Sequence, residues 1–436
     1  MKTLRILAAS ASLTITAVAS HADAWSLDSC INYAVTHNLD VRSAQIERYK
    51  GDLSVTEAKD RFLPTLSASA SQNWDFGRGL TSQNTYANRN TSALGWNVSF
   101  SLPLFQGLSA LRQLRQAQAN IHTLDLQLAY AKDEVTLGIM AYYLQVLYNR
   151  EMLAVRREEL RLSKTQLQRQ QTLLEGGKVP EVDVLQAKAE VASGEVNVVN
   201  ADNDYHLALV ELTRALELGD SDGFDVQSVD FDGDISLPRS ADEVYANALN
   251  HNNGILAARS AIGRADHAIS IARTGYIPRL SLNAGLGSSY YTLSGSDNTS
   301  FARQMRDNFS KSIGISLHIP IFDAFSTRNQ VRRAHVQRLS AELELERREM
   351  DLLKTIRQAY CQAEGARARY QAGETAVTAA KAALDAMTEK YNYGRANATE
   401  WEQARSSYIT TLSQQVQAKY EMILRSRIIS FYNRVN

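Results

Sequence analysis

The chain has 436 residues, with 47 basic and 47 acidic side chains, two cysteines and six prolines. Its fractions of charged and hydrophobic residues, 22% and 44%, are those of an ordinary folded protein and exclude a disordered tail or a collagen-like fibre. The zero net charge argues against a nucleic-acid partner, and two cysteines are too few for a disulfide framework or a structural zinc site. The mean hydropathy is −0.30, and no apolar run beyond the first two dozen residues approaches the ~20 residues of a membrane helix, which excludes a polytopic helical membrane protein.

The first 24 residues have the organisation of a signal peptide. Lys2 and Arg5 provide a positive start, an apolar stretch follows, and Ala22-Asp23-Ala24 forms an A-x-A cleavage site before Trp25. We therefore predict export, with an amphipathic first helix as the alternative. The segment before Cys30 faintly resembles a lipidation box, but its acidic residue and its distance from the apolar stretch favour a buried helix cysteine.

The mature chain has the pattern of two copies of one unit. Three landmarks recur at offsets of 214 or 217 residues: Pro64 and Pro278, Pro103 and Pro320, and Gly177 and Gly394. Such self-similarity predicts an internal structural duplication. We place the first repeat at 25–218, the second at 241–436, and an acidic linker containing glycine at 219–240.

Each repeat contains the same predicted elements in the same order, which makes the fold class α+β. After an initial helix come a strand hairpin at about 65–104 or 279–321, a long helix at 105–175 or 322–392, and a last helix at 180–218 or 396–434.

The predicted strands alternate between apolar and small polar residues. This period of two over about 10 residues, with aromatic residues near one end, is typical of strands in a transmembrane β-barrel. The alternative is a soluble sandwich whose apolar faces pack on helices. Four strands cannot close a barrel, and open edges are not tolerated in lipid, so the barrel would need strands from several chains. The predicted membrane-facing residues are Leu66, Trp74, Phe76, Leu94, Trp96, Val98, Phe100, Leu280, Leu282, Ile313, Ile315 and Leu317.

The predicted long helices exceed the dimensions of a globular core. No proline occurs between Pro103 and Pro180 or after Pro320, and one helix over 106–175 would be on the order of 100 Å long. Leucines at heptad spacing, Leu153, Leu160, Leu167 and Leu174, indicate coiled-coil packing along one narrow stripe.

These features together resemble the outer-membrane factor family, the TolC-like efflux channels. The resemblance is carried by FLPTLS and YIPRLS before the first strands, SLPLF and HIPIF after the second strands, and GGKVPEVDVLQA and YNYGRANATEWEQA at the inter-helix turns. It covers essentially the whole mature chain.

The resemblance implies a homotrimer in the outer membrane of a Gram-negative bacterium, extending into the periplasm. Its 12-stranded β-barrel, four strands per protomer, would be continuous with a 12-helix α-barrel. The implied partners are outer-membrane lipid, a periplasmic adaptor and an inner-membrane transporter of the RND or ABC type. The implied function is a passive exit duct of a tripartite efflux or type I secretion system.

The resemblance also assigns roles at the inter-helix turns. The adaptor would contact Gly177, Lys178, Val179, Gly394, Arg395 and Ala396. Similar proteins close this end with acidic side chains six and nine residues after the turn glycine, which here are Asp183 with Glu400, and then neutral Gln186 with Gln403. The gate tyrosine of the family matches Tyr391, while the position of its basic partner is Ala396, with Arg395 adjacent.

The gate residues have two physical interpretations. Carboxylates crowded at a trimer axis would repel one another, raise each other's pKa and attract cations. Alternatively, Asp183 and Glu400 only stabilise the positive N-terminal ends of their helices.

No catalytic constellation, metal-ligand cluster or cofactor motif accompanies these features, so we expect neither an enzyme nor a cofactor-binding or metal-binding protein. The alternative function is a periplasmic coiled-coil structural or adaptor protein.

Overall fold

A computed structural model describes residues 24–80, 85–88, 90–219, 223–229 and 237–434. The predicted signal peptide, up to residue 23, and two stretches of the predicted linker lie outside the described residues. The chain divides into two units. The first unit contains the chain up to Leu39, Val135–Leu237 and Cys361–Ile428. The second unit contains Asp40–Glu134, Pro238–Tyr360 and the chain from Ile429. Each unit contains segments from both predicted repeats.

The second unit contains a four-stranded antiparallel sheet in the order β1-β4-β5-β6. Its strands are β1 (Thr65–Asp75), β4 (Thr91–Phe105), β5 (Arg279–Leu293) and β6 (Ser310–His318). The short strands β2 (Arg78–Leu80) and β3 (Tyr86–Asn88) form a separate two-stranded sheet. Among the described residues, β1 and β6 have no further neighbour on their outer edges.

The register of the sheet sorts its residues into an apolar face and a polar face. One row across the four strands joins Leu66, Phe100, Ala284 and Ile313. Residues directly opposite share a face, and successive residues alternate, so every predicted membrane-facing residue except Phe76 lies on the apolar face. Phe76 follows the last residue of β1.

The polar face consists of small side chains that bond across the strands. Ser67 and Ser99 share a hydrogen bond of 2.6 Å, and Ser69 donates to the Asn97 Oδ1 at 2.8 Å. On the same face, Ser101 donates to the Asn283 Oδ1 at 3.0 Å. The alternation therefore satisfies polar groups on one face and leaves the opposite face apolar.

Side-chain amides cover the part of β5 that extends beyond β6. The amides come from the segment that contains helix α7 (Phe301–Asp307). The side chain of Asn298 hydrogen-bonds both the N–H and the C=O of Leu293. The side chain of Gln304 does the same with Tyr291. Because an unpaired strand edge attracts other strands, these amides protect the free edge.

The two longest helices, α3 (Ser109–Glu175) and α8 (Ser326–Asn392), both have 67 residues, and α4 (Glu181–Ala215) and α9 (Ala398–Tyr432) both have 35. The long helices begin four residues later than the sequence predicted. Leu108 before α3 and Phe325 before α8 have positive φ values of 65° and 62°, which a right-handed helix excludes.

Each predicted initial helix is interrupted by an asparagine, so the expectation of one continuous helix per repeat was wrong. Asn38 separates α1 (Leu27–His37) from α2 (Leu39–Asp60), and Asn252 separates α5 (Ala241–His251) from α6 (Asn253–Ala272). The side chain of Asn252 accepts a hydrogen bond from the Ile255 N–H at 3.0 Å, so the break caps the following helix.

The core of the first unit contains Cys30. Its side chain is fully buried with Tyr143 and Leu212, and burial raises the pKa of its thiol to about 12. This agrees with the predicted buried cysteine. The Tyr143 hydroxyl donates to the carbonyls of Trp25 and Gln227 at 2.9 and 2.7 Å.

Across the described ranges, no helix combines the length and the apolar character needed to cross a membrane.

Candidate functional site

The two inter-helix turns of the first unit have the same backbone geometry. In the turn after α3, the Gly177 N–H bonds the Leu174 carbonyl at 2.8 Å and the Lys178 N–H bonds the Leu173 carbonyl at 2.9 Å. In the turn after α8, Gly394 and Arg395 make the equivalent bonds. These are Schellman caps, and they need a left-handed residue at the glycine, where φ is +67° or +68°.

All six predicted adaptor contacts lie in these two turns. Lys178, Gly177, Gly394 and Arg395 are exposed, whereas Val179 and Ala396 are half-buried. The side chain of Ala396 packs against the cluster formed by Leu384, Tyr391 and Trp401.

The helices that follow the turns begin differently. Before α9, the Asn397 Oδ1 accepts from the Glu400 N–H at 2.8 Å, and the Glu400 carboxylate accepts from the Asn397 N–H at 2.9 Å. This reciprocal pair is a capping box. Pro180 before α4 makes no side-chain cap bond, and Asp183 lies in the first turn of that helix. Among the described residues, Glu400 therefore has a hydrogen-bond partner at the helix end, Asn397, whereas the side chain of Asp183 has none there.

Tyr391 is buried in a cluster of polar and aromatic side chains. Its hydroxyl accepts from the Nε2 atoms of Gln166 at 2.7 Å and Gln170 at 2.6 Å, and all three residues are less than one-tenth exposed. Its ring stacks on Trp401 with 6.2 Å between centroids. Trp401 in turn donates to the Thr388 Oγ1 at 2.9 Å.

The basic partner of Tyr391 is Arg169, on α3, rather than Arg395. The Arg169 guanidinium lies 3.9 Å from the centroid of the Tyr391 ring, donates to the Tyr391 carbonyl, and reaches the Asn392 Oδ1 at 2.6 Å. Arg395 is exposed and forms no salt bridge with any described residue. The contact between Arg169 and Tyr391 fixes the end of α8 against α3.

Several predicted gate residues line one cavity of about 650 Å³, which we call the tip cavity. Its walls come from α3, α4 and the start of α9. Asp183, Gln186 and Gln403 of the predicted gate line it, together with Gln170, Glu190 and Glu402. Glu400 and Tyr391 are not part of its lining. The structure thus brings Asp183, Gln186 and Gln403 to one cavity, whose described lining includes Thr399 and Trp401 but not Glu400.

A buried arginine borders the tip cavity. Arg405 is 7% exposed, and its Nε bonds both oxygens of Glu402 at 2.9 and 3.0 Å. Its Nη1 donates to the Ser163 Oγ at 2.5 Å. Both residues of this ion pair lie on α9, and loss of Glu402 would leave the charge of Arg405 buried without a carboxylate partner. The bond from Arg405 to Ser163 joins α9 to α3.

Glu190 is the titratable group of the tip cavity whose environment is most perturbed. Its pKa is raised, first by burial and then by the negative charge of Glu402, while Arg405 opposes the shift. The described residues contain no group of three or more histidine, cysteine or acidic side chains that could hold a metal ion.

Comparisons with known proteins decide the family. The model of the outer membrane efflux protein family matches residues 30–217 and 244–427, well over half of the chain. The chain belongs to the outer membrane efflux protein family. This confirms the predicted resemblance, the outer-membrane location and the expected role as an outer-membrane channel.

Individual relatives are distant but cover most of the chain. The chain is 25% identical over 377 residues to the outer membrane efflux protein BepC of Brucella suis, covering 86% of this chain and 78% of BepC. It is 24% identical over 426 residues to TolC of Escherichia coli, covering 94% and 83%. The crystal structure of VceC from Vibrio cholerae superposes with a TM-score of 0.74 at 17% identity, covering 93% of this chain and 96% of VceC, which shows a shared fold.

Sequence reasoning missed Arg169, Gln166, Gln170 and Glu190. The first three are polar residues near the end of a helix of 67 residues, and their partners lie more than 200 positions away in the sequence. A signal did exist for Glu400, because Asn397-x-x-Glu400 has the capping-box spacing.

Proposed function

We propose that three copies of this chain assemble into an outer-membrane exit duct with a closable periplasmic end. The observation that carries the proposal is the two-faced sheet with open edges at β1 and β6. Its apolar face exposes 79% of Ile313, 66% of Ile315 and 61% of Leu317. In water this exposure would be unfavourable, whereas lipid would cover it.

The strand count supports a trimer. A barrel of four strands is too small to close, and its unpaired edges would be costly in hydrocarbon. If β6 of one copy pairs with β1 of the next, three copies give a 12-stranded barrel with no free edge. The helices would then form a 12-helix α-barrel, in which exposed apolar side chains such as Val336, Leu339 and Leu343 contact a neighbouring copy.

Internal duplication accounts for the equal helix lengths and for the family model matching the chain twice, at 30–217 and 244–427. Two copies of one unit supply helices in matching pairs, so the three protomers would present six similar repeats around the duct. We retain the predicted repeat bounds of 25–218 and 241–436, with the linker at 219–240, as part of this proposal.

The proposed partners are outer-membrane lipid on the apolar face, and a periplasmic adaptor and an inner-membrane transporter at the turns. The exposed positive charges of Lys178 and Arg395 and the rigid Schellman caps give a preformed surface for the adaptor. Export through such a duct would be energised by the transporter, in an efflux or a secretion system.

The proposed gate combines Asp183, Gln186, Gln403 and Tyr391, with Glu400 and Arg395 nearby. Asp183 forms no salt bridge with any described residue, so its charge is free to repel copies of itself in a closed trimer. Tyr391 would hold α8 on α3 while the end is closed. For the gate to open, these contacts would have to break.

The central experiment measures oligomeric state and conductance. Purified protein in detergent should be a trimer that forms pores in planar bilayers, whereas a stable monomer that is soluble without detergent would overturn the proposal. A single cysteine in place of Trp96 distinguishes the alternative, a periplasmic coiled-coil protein. Such a cysteine should resist a water-soluble label in cells, and ready labelling would favour that alternative.

A second experiment tests the gate. Combining Asp183→Asn with Glu400→Gln removes both charges while glutamine retains the capping box. Conductance should rise and divalent-cation block should weaken. The control is Glu181→Gln, also in the first turn of α4 but outside the tip cavity. Unchanged conductance in the double variant would reject these residues as the gate.

A further inference from the structure

We propose that α7 and the start of β6 form a docking surface for the phosphate groups of a phosphorylated glycolipid in the outer leaflet of the membrane. This surface, which we call the α7 patch, consists of Arg303, Arg306 and Lys311 with the rings of Phe301 and Phe309. The proposal rests on the proposed function, because it requires the apolar face of the sheet to lie in the outer membrane. It adds the chemistry of the lipid headgroup that this face would meet.

Helix α7 packs on the apolar face of the sheet. Ser288 and Tyr290 lie an even number of positions after Ala284 on β5, so they share its apolar face. Ser288 is 7% exposed, and its hydroxyl donates to the Met305 carbonyl at 2.7 Å. The rings of Tyr290 and Phe301 meet edge to face with 5.1 Å between their centroids. In the proposed barrel, α7 therefore lies on the outside, where lipid would surround it.

The position of α7 along the strands corresponds to the outer boundary of the apolar band. The long helices join the opposite end of the sheet, since α2 precedes β1 and α8 follows β6, and in the proposed duct these helices extend into the periplasm. On the apolar face, the part of β5 from Leu280 to Tyr290 spans on the order of 33 Å, or about 25 Å along the membrane normal at a tilt of ~40°. This matches the ~25 Å height of the apolar band in outer-membrane barrels. Helix α7 thus lies where acyl chains end and headgroups begin.

A lysine on the lipid-facing side of β6 supports this depth. Lys311 is directly opposite Leu286, so it belongs to the apolar face and continues the row of Ile313, Ile315 and Leu317. Its Nζ lies 5.5 Å from the centroid of the Phe309 ring. A lysine on the lipid face is costly at the middle of the bilayer and tolerated near the interface. The change from isoleucine to lysine along one strand therefore marks the headgroup level.

The α7 patch has unpaired positive charge. Arg303 and Arg306 are three residues apart on α7, and both are exposed. Asp307 pairs with Arg306 at 3.0 Å, whereas Arg303 and Lys311 form no salt bridge with any described residue. The other acidic residue of this hairpin segment, Asp297, lies in the turn beyond the end of β5. Arg303 and Lys311 are therefore available to a negatively charged group.

The combination of charges and rings fits a phosphorylated lipid better than a free ion. A guanidinium binds phosphate through two parallel N–H bonds, and an ammonium binds it as a compact charge. The rings of Phe301 and Phe309 are 51% and 44% exposed, and aromatic rings favour the boundary between acyl chains and headgroups. A free phosphate ion would use only the charges, whereas a phosphorylated glycolipid would use both.

The test is native mass spectrometry of the purified full-length channel in detergent, titrated with diphosphorylated lipid A. We expect one lipid per protomer at saturation. Removal of both phosphates from the lipid should weaken binding about tenfold or more, because a hydrogen bond to a charged group contributes about that factor. Arg303→Gln combined with Lys311→Gln should weaken binding of intact lipid A to the same extent.

Two control variants separate charge from folding. Arg303→Lys with Lys311→Arg keeps both charges and should bind as the wild type does. Arg279→Gln removes an exposed charge from the polar face at the other end of β5, and it should also bind as the wild type does. Equal binding of the two lipids, or equal binding of lipid A by the wild type and the double glutamine variant, would overturn the proposal.

Further outcomes identify the source of the phosphate and separate the two proposals. A large molar excess of inorganic phosphate should leave lipid A bound, and complete displacement would overturn the assignment to a lipid. A conducting trimer that binds both lipids equally would reject only the α7 patch. A monomer that is soluble without detergent, but whose lipid A binding still requires Arg303 and Lys311, would reject only the duct.

Discussion

The hydroxyl of Tyr391 offers the most direct test of how the end of α8 is held. Tyr391→Phe removes a single oxygen and keeps the ring that stacks on Trp401 and lies under Arg169. That oxygen accepts from two amides, Gln166 and Gln170, at 2.7 and 2.6 Å. The variant therefore leaves two buried donors without a partner and changes little else.

The expected magnitude follows from those two donors. A buried polar group left unpaired costs about 1–3 kcal/mol. Both glutamines line the tip cavity, where water can replace part of the lost bonding, so the lower end applies to each. The total is about 2 kcal/mol, which corresponds to roughly 30-fold in the equilibrium for local opening.

Hydrogen exchange of backbone amides measures this opening. The N–H groups of Gly394 and Arg395 bond the carbonyls of Tyr391 and Lys390, so they become exchangeable when the end of α8 opens. Their exchange should be roughly 30-fold faster in Tyr391→Phe. The control is Tyr393→Phe, because Tyr393 lies in the same turn and is 80% exposed.

Two results would refute the reasoning. One is a change in exchange smaller than about threefold, which is under 1 kcal/mol. The other is a failure of rescue. Gln166→Leu with Gln170→Leu should restore part of the stability of Tyr391→Phe, since apolar replacement of both partners of a hydrogen bond is nearly neutral.

Three further variants test the remaining geometry of the first unit. Glu190→Gln should stabilise the fold at pH 7, because the raised pKa of Glu190 makes the wild type lose stability as the pH rises above the ordinary value of 4.5. The difference in urea unfolding between the two proteins should shrink towards pH 4.5, and a constant difference would contradict this. Gly394→Ala should cost about 1–2 kcal/mol in the same assay, since φ is +68° and no atom lies within 4 Å of an added Cβ, so the cost is purely conformational. Gly394→Asn should cost less, and equal losses would argue for a steric cause. Asn397→Ala should remove about 1 kcal/mol by breaking the capping box before α9, whereas Asn397→Ser should retain most of it, as measured by chemical unfolding.

The strands could be predicted closely because their signal is local. Alternation in a single strand already assigns each side chain to one of two faces, and the register then aligns Leu66 with Phe100 and Ile313 with Ala284. Phe76 lies one residue beyond β1, which ends at Asp75, and the alternating pattern in the sequence does not show where backbone pairing stops. Its membrane-facing assignment stays a prediction.

The helix interruptions were harder to predict because they are short. Asn38 and Asn252 each break a helix for one residue, without the proline or glycine that normally marks a helix end. The identical His-Asn dipeptide at both breaks, His37-Asn38 and His251-Asn252, was visible in the sequence. An asparagine there favours a cap over a helix interior, because its side chain competes for backbone N–H groups.

The candidate site depends on contacts between residues that are distant in sequence, and this limited its prediction. In the sequence, Asp183 and Glu400 both lie six residues after a turn glycine, and this equal spacing predicts the same role for both. The structure gives Glu400 a local partner, Asn397, three residues away, whereas Asp183 faces the tip cavity without a salt bridge among the described residues. The basic partner of Tyr391 likewise comes from Arg169 on another helix, which makes Arg395 unnecessary for that contact. The two inter-helix turns therefore share a backbone geometry, but the acidic side chains six residues after their glycines, Asp183 and Glu400, have different environments.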